Sequence, residues 1–409
     1  MNPRAQIRLL PDGRRLHLND GPIDLVLEAF GPTAEITEAY RAAAQRFETV
    51  LDKLCSELTF LRRPTQVPAR SGLSPTHWYE CPSLSREGMH QPASFSREAA
   101  QDYSPRRKPW ETGGKSQSPK GAKETRSLAP AHGHLPQGAV ARRMVAAVTP
   151  FAAETFITPM AAVAGAVADE ILAAMTANAN LPRAYVNNGG DIALHLAPGE
   201  RFTVGMVERP DRPSLLGTTT IHAHQPIRGI ATSGWRGRSF SLGIADAVTV
   251  LADTAAMADA AATIIANAVD VPGHSAITRV PACELAPDSD LGPRRVTQAV
   301  GDLGSDEVDA ALSSGLQVAD RLLKANLIRA AALNLQSRTR VVGAYSEAPF
   351  ITAPSMMGYE RQDRDRTPSD REGTASDREG TASAVPLDSI RTGASAPKGA
   401  LGPCKAVHA

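Results

Sequence analysis

Hydrophobic periodicity in this chain is confined to two stretches, about 1–62 and 134–343, and the residues between and after them carry none. That division constrains the fold most, because only a patterned segment buries enough apolar surface to offset the entropy of ordering it. Residues 63–133 are dense in Ser, Pro, Gly and Arg, and 11 Lys and Arg against 6 Asp and Glu leave a net charge of about +5. After Tyr345 the pattern is lost again. SDREGTA at 369–375 recurs at once at 376–382, a tandem duplication too short and polar to be a structural repeat. The expected organisation is one core domain made of 1–62 and 134–343, a disordered insertion at 63–133 and a disordered low-complexity tail at 344–409.

Within the core, periods of 2 and 3.6 alternate. QIRLL and RLHLN flank Pro11-Asp12-Gly13 as a β-hairpin, and IDLVLEAF follows as a further strand. Ile36, Ala43, Phe47, Val50, Leu51, Leu54 and Leu58 recur at helical spacing and predict one helix over 33–61. Further helices are expected at 141–149, 158–177, 253–269, 305–313 and 315–336. Strands are expected at 184–187, 191–196, 202–207, 217–223, 228–232, 239–243 and 246–251. The mixture specifies an α/β (α+β) protein with helices packed on a sheet. Aromatic residues are only 4 % of the chain, so this core must close through Ala, Val, Ile and Leu at short contacts.

Several function classes fall away. A formal net charge of +1 argues against nucleic acid or an anionic membrane as partner. The four cysteines form no C-x-x-C pair and read as free thiols of a reducing compartment. The N-terminus lacks the apolar run and cleavage site of a signal peptide. The most apolar windows, 157–168 and 243–269, are broken by Asp169, Glu170, Asp246, Asp253 and Asp259, short of the roughly 20 residues of a membrane span. The expectation is a soluble, cytoplasmic protein whose oligomeric state is open, a homo-oligomer included. His77, Cys81, His90, His132 and His134 match no closed zinc spacing. Gly113-Gly114-Lys115-Ser116 has Pro109 where a phosphate loop needs its first glycine.

Three clusters carry chemistry. Asn187-Asn188-Gly189-Gly190-Asp191 lies between two strand-like runs, where glycines let backbone approach a ligand or simply turn a hairpin. Gly229-Ile230-Ala231-Thr232-Ser233-Gly234-Trp235-Arg236-Gly237-Arg238 leaves a strand with small hydroxyls, exposed N–H groups and two arginines suited to phosphate. The alternative is a flexible loop with solvated arginines. Asp259 and Thr263 stand four apart on a helix, so their oxygens share one face, as a hard Mg²⁺ site requires or as a local cap would use them.

In order and kind, the three clusters resemble the ApbE family, the FAD:protein FMN transferases, which carry N-x-G-G-D, then A-T-S-G, then A-D-x-x-x-T. Met160 to Asp169 looks like that family's G-A-I-A-K-G-Y-A-V-D helix start, with Ala164 where Lys is usual. The phrases ITPMAAVAGAVADEI, VNNGGDIALHL, ATSGWRGRSFSLGIADAVTVLA and ADAAATIIANAV are similar to a compact branch, uncharacterised protein family 0280.

The resemblance implies a T-fold-like core with FAD in a cleft. Asn187, Gly189, Gly190 and Asp191 would contact the flavin, Thr232 and Ser233 its phosphates beside Gly234, and Asp259 and Thr263 would hold Mg²⁺. It also implies transfer of FMN to a Thr or Ser of an acceptor protein, with release of AMP. One departure weighs against transfer. Where the family has H-x-x-D-P-x-T-G, this chain has Ser239-Phe240-Ser241-Leu242-Gly243 without His, and Asp246 is the one nearby substitute base. The alternative is a flavin or nucleotide binder that has lost the base.

Overall fold

A computed structural model describes residues 4–65, 136–207 and 215–343, together with the backbone of 384–386. In chain order the elements are β1 (Gln6–Leu9), β2 (Leu16–Asp20), β3 (Ile23–Phe30), α1 (Thr33–Phe47), α2 (Val50–Leu61), α3 (Ala139–Val148) and α4 (Val163–Thr176). Then come β4 (Arg183–Asn188), β5 (Asp191–Leu196), β6 (Arg201–Val207), β7 (Leu215–His222), β8 (Gly229–Ser233), β9 (Ala247–Ala252) and α5 (Ala255–Ala268). The remainder are β10 (Ile277–Pro281), α6 (Ala282–Leu285), β11 (Arg295–Val300), α7 (Ser305–Lys324), β12 (Ala330–Leu335), β13 (Arg338–Val342) and β14 (Ala384–Pro386).

Nine strands form one sheet in the order β1-β2-β3-β4-β5-β8-β9-β12-β13. Every neighbouring pair is antiparallel. The protein is therefore a mixed α/β fold built on antiparallel sheets. Strand alternation divides its core in two. On one face Ala184, Val186, Ala193, Ala231, Val248, Val250 and Leu333 join the helices. On the other, Tyr185, Ile192, Leu194, Ile230 and Leu251 pack under Phe202, Val204 and Ile221 of the β6–β7 hairpin. Three aromatics meet there, with Phe202 edge-on to both Phe30 and Tyr185.

The helix side is built on close approach. A Cβ on Gly165 of α4 would lie 2.2 Å from the Ala255 carbonyl oxygen of α5, so the two helices touch backbone to backbone. Pro159–Thr176 is long and apolar enough, by length and composition, to cross a membrane (18 residues, mean hydropathy 1.3). In this fold half of it is buried inside the protein, against α1, α3, α5, β4 and β5. Glu170, on that helix, is held by Arg46 at 2.8 Å and Arg143 at 2.9 Å.

The expected elements are corrected at several points. The helix over 33–61 is two helices, because at Thr49 the hydroxyl donates to the Arg46 carbonyl and the ladder breaks. The runs at 305–313 and 315–336 are one helix ending at Lys324, followed by Asn326 with φ +58°. Residues 330–335 are instead the fully buried strand β12, since burial on both faces overrides the helical preference of its alanines. No strand forms at 239–243, while β10, β11 and β13 were not expected. Beyond residue 65 the insertion lies outside the described residues, as does the tail, except that Ala384–Pro386 pairs antiparallel with β6.

Candidate functional site

The register of β4 against β5 sets Asn188 opposite Asp191 and leaves Gly189-Gly190 as a two-residue turn, with φ of +64° and +111°. Such a turn requires positive φ at both positions, which glycine adopts without strain. The Asn187 carboxamide oxygen accepts from the Gly190 N–H at 2.8 Å. Asn188 donates its amide to the Ala164 carbonyl at 3.1 Å, fastening the turn to the start of α4. Of the two readings of this segment, the structure shows the hairpin turn.

Asp191 opens β5 on the helix side of the sheet. Its carboxylate accepts from the Thr232 N–H of β8 at 3.3 Å, joining the first cluster to the second. The Thr232 hydroxyl bonds that of Thr249 at 2.9 Å, and Ser233 beside it is half-buried. Gly234 is required by packing, since a Cβ there would lie 2.5 Å from the Asp246 carbonyl oxygen.

Asp259 of α5 brings the third cluster to the start of α4, where Asn188 of the first is also fastened. It accepts from the Gly165 N–H at 3.0 Å and from the Ala164 N–H, at the free N-terminal end of α4. In return Asp169 of α4 accepts from the N–H groups of Ala255 at 3.1 Å and Ala256 at 2.9 Å, at the N-terminal end of α5. Thr254 caps the next N–H of that helix, that of Met257. Thr263, one turn beyond Asp259, is half-buried on the same helix face.

These carboxylates sit in an unusual field. Burial pushes Asp169 up to about 6, against the pull of the Ala256 and Ala255 N–H groups. Burial also raises Asp191, which the Thr232 N–H and the Arg238 charge pull the other way. Asp259 is raised well above the usual range, by burial first and then by the charge of Asp191. Two buried carboxyls that feel each other's charge favour a proton or a cation between them. Among the described residues no three His, Cys, Asp or Glu side chains group to hold a metal. A cation here would take oxygens of Asp259, Thr263 and Asp191 and complete its shell with water and ligand phosphate, the habit of Mg²⁺.

Asp246 is engaged elsewhere. It is buried and accepts from Trp235 Nε1 at 3.2 Å, Arg236 Nε at 2.6 Å and the Gln336 N–H at 2.7 Å. His222 and His224 stack on each other at the opposite end of β5. With Leu196, Glu200 and Arg228 they line a separate cavity of about 380 Å³ that contains none of the cluster residues. Asp169 is a residue of this network that motif spacing did not single out; its signal was the pair Asp169-Glu170 in an otherwise apolar helical run.

The fold and this site define a mixed α/β protein in which a diglycine turn, the hydroxyl-bearing end of β8 and a helix-borne carboxylate lie at one end of an antiparallel sheet. The chain matches the model of the family described as AbpE bacteria over residues 7–80 and 121–341, and it belongs to that family. It is similar to UPF0280 proteins: one of Methanopyrus kandleri, 40 % identical over 128 residues (31 % of this chain, 48 % of that protein). Another, of Methanococcoides burtonii, is 37 % identical over 140 residues (34 % and 55 %). A third, of Methanothrix thermoacetophila, is 41 % identical over 114 residues (28 % and 46 %). The chain thus spans about half the length of the curated relatives it matches.

Proposed function

We propose that this chain binds a flavin nucleotide, FAD, together with Mg²⁺, at the meeting point of Gly189-Gly190, Thr232-Ser233-Gly234 and Asp259. The observation that carries the proposal is the contact chain from Asp191 to the Thr232 N–H, and from Asp259 to the first turn of α4 beside Asn188. Segments up to 94 residues apart thereby share one oxygen-rich end of the sheet. The half-buried Ser233 hydroxyl suits a phosphate oxygen, and the diglycine turn lets a planar ring approach the backbone.

Asp259 and Thr263 fit the metal by donor chemistry, and Asp191 supplies the second negative charge beside them. Bound Mg²⁺ would neutralise charge on the diphosphate and on departing AMP. Asn187 and Asn188 hold the turn in shape, and the capped start of α4 fixes the Asp259 carboxylate.

The reaction this site would serve is attack of an acceptor-protein Thr or Ser hydroxyl on the FMN phosphorus of FAD. The new bond to oxygen forms as the bond to AMP breaks. The second reading, a binder without turnover, is favoured by one feature: Asp246 is occupied by Trp235, Arg236 and Gln336, and 239–243 carries no His. Incubation with FAD, Mg²⁺ and a Thr-containing acceptor protein separates the two. AMP release with FMN mass added to the acceptor supports transfer. Tight FAD binding without AMP supports the binder, and no binding at all removes both.

A further inference from the structure

The two arginines that leave β8 look equivalent in sequence, and the structure separates them. Arg236 is committed to the fold: its Nε bonds Asp246 at 2.6 Å and its guanidinium lies 4.3 Å from the centre of the Trp235 ring. Arg238 turns the other way. Its Nη2 donates to the Pro22 carbonyl at 2.9 Å, in the β2–β3 turn, and its Nη1 rests against the diglycine turn. A Cβ on Gly189 would sit 3.0 Å from that nitrogen, so glycine at 189 admits the guanidinium as well as the positive φ.

Position gives this cation a task. Whichever of Asp191 and Asp259 is ionised repels an anion, and Arg238 is the guanidinium whose charge Asp191 feels. A phosphate reaching the diglycine turn therefore needs a counter-charge on the turn side, opposite the one a metal would supply on the helix side. A guanidinium offers five donors in a planar fork matched to two phosphate oxygens, and the bond to Pro22 holds that fork in place.

We infer that Arg238 is the specificity-determining residue that recognises the phosphate of the bound nucleotide, and that Arg236 is a structural brace. This rests on the nucleotide reading of the site. The test is calorimetric titration of FAD and ADP, each with Mg²⁺, into wild type, Arg238→Ala, Arg238→Lys and Arg236→Ala, with the melting temperature of each ligand-free protein. Arg238→Ala is expected to weaken both nucleotides by about 10- to 100-fold, the loss of a charge-assisted pair, while the ligand-free melting temperature falls by only the few degrees that the bond to Pro22 carries. Arg238→Lys should recover part of that affinity, since a point charge replaces the fork. Arg236→Ala should lower the melting temperature. If Arg238→Ala binds both nucleotides like wild type, or loses affinity only in step with its melting temperature, the inference is overturned. If wild type binds ADP but not FAD, the flavin reading fails while the ADP titrations still decide the role of Arg238. If wild type binds neither, both fall.

Discussion

Asp169 and Asp259 cap each other's helices: each carboxylate, borne on one helix, accepts the free N–H groups at the start of the other. The exchange places negative charge at both positive helix ends and satisfies donors that the tight α4–α5 contact hides from water. It also explains why two apolar, Ala-rich helices each retain a half-buried carboxylate. Asp169 and Asp259 thereby tie α4 to α5.

Asp169 gives the frame a pH dependence with a definite sign. Its folded value, about 6, lies above the ordinary 3.8, so the folded protein holds this proton more firmly than the unfolded chain. The associated stability is full below about pH 4 and is lost as pH rises through about 6. Asp169→Asn, which does not titrate, should lack that loss. Urea unfolding of both proteins at pH 4 and pH 7 should show wild type losing on the order of 2–3 kcal/mol relative to the variant. Parallel pH profiles would contradict this.

Gly165→Ala tests the helix contact. Intrinsic propensity favours Ala in a helix by about 1 kcal/mol. Here the added Cβ would lie 2.2 Å from a backbone oxygen, which cannot rotate away. Sterics should win, with a net destabilisation of about 1–3 kcal/mol in denaturant unfolding. A variant as stable as wild type would mean that α4 and α5 are further apart than described.

Asp246→Ala removes three accepted hydrogen bonds and the ion partner of Arg236 at once. Leaving such groups unpaired costs about 3–5 kcal/mol, so the variant should melt early. Asp246→Asn keeps the shape and part of the bonding, and its FAD affinity should stay near wild type. An Asp246→Asn protein that folds normally and loses AMP release alone would instead make this carboxylate the missing base.

Much of this was legible in the residues. Alternation in β2 and in the first half of β3 reports one buried face. What escaped was set by partners distant in sequence. AAALNL at 330–335 reads as helix until β9 and β13 bury it from both sides. β10, β11 and β13 are short and largely half-buried or exposed, with Arg, Thr or Pro where an apolar alternation would announce a strand. Asp169 meets the N–H groups of Ala255 and Ala256 across 86 and 87 residues, a spacing that no local pattern encodes. The division of labour between Arg236 and Arg238 likewise depends on Asp246 and Gly189.

The most direct measurement is FAD binding with and without Mg²⁺, by wild type and by Asp259→Ala. Mg²⁺ should tighten binding to wild type, and the variant should retain its fold yet show no metal effect. Equal metal dependence in both proteins, or no FAD binding by wild type at any Mg²⁺ concentration, would contradict the account.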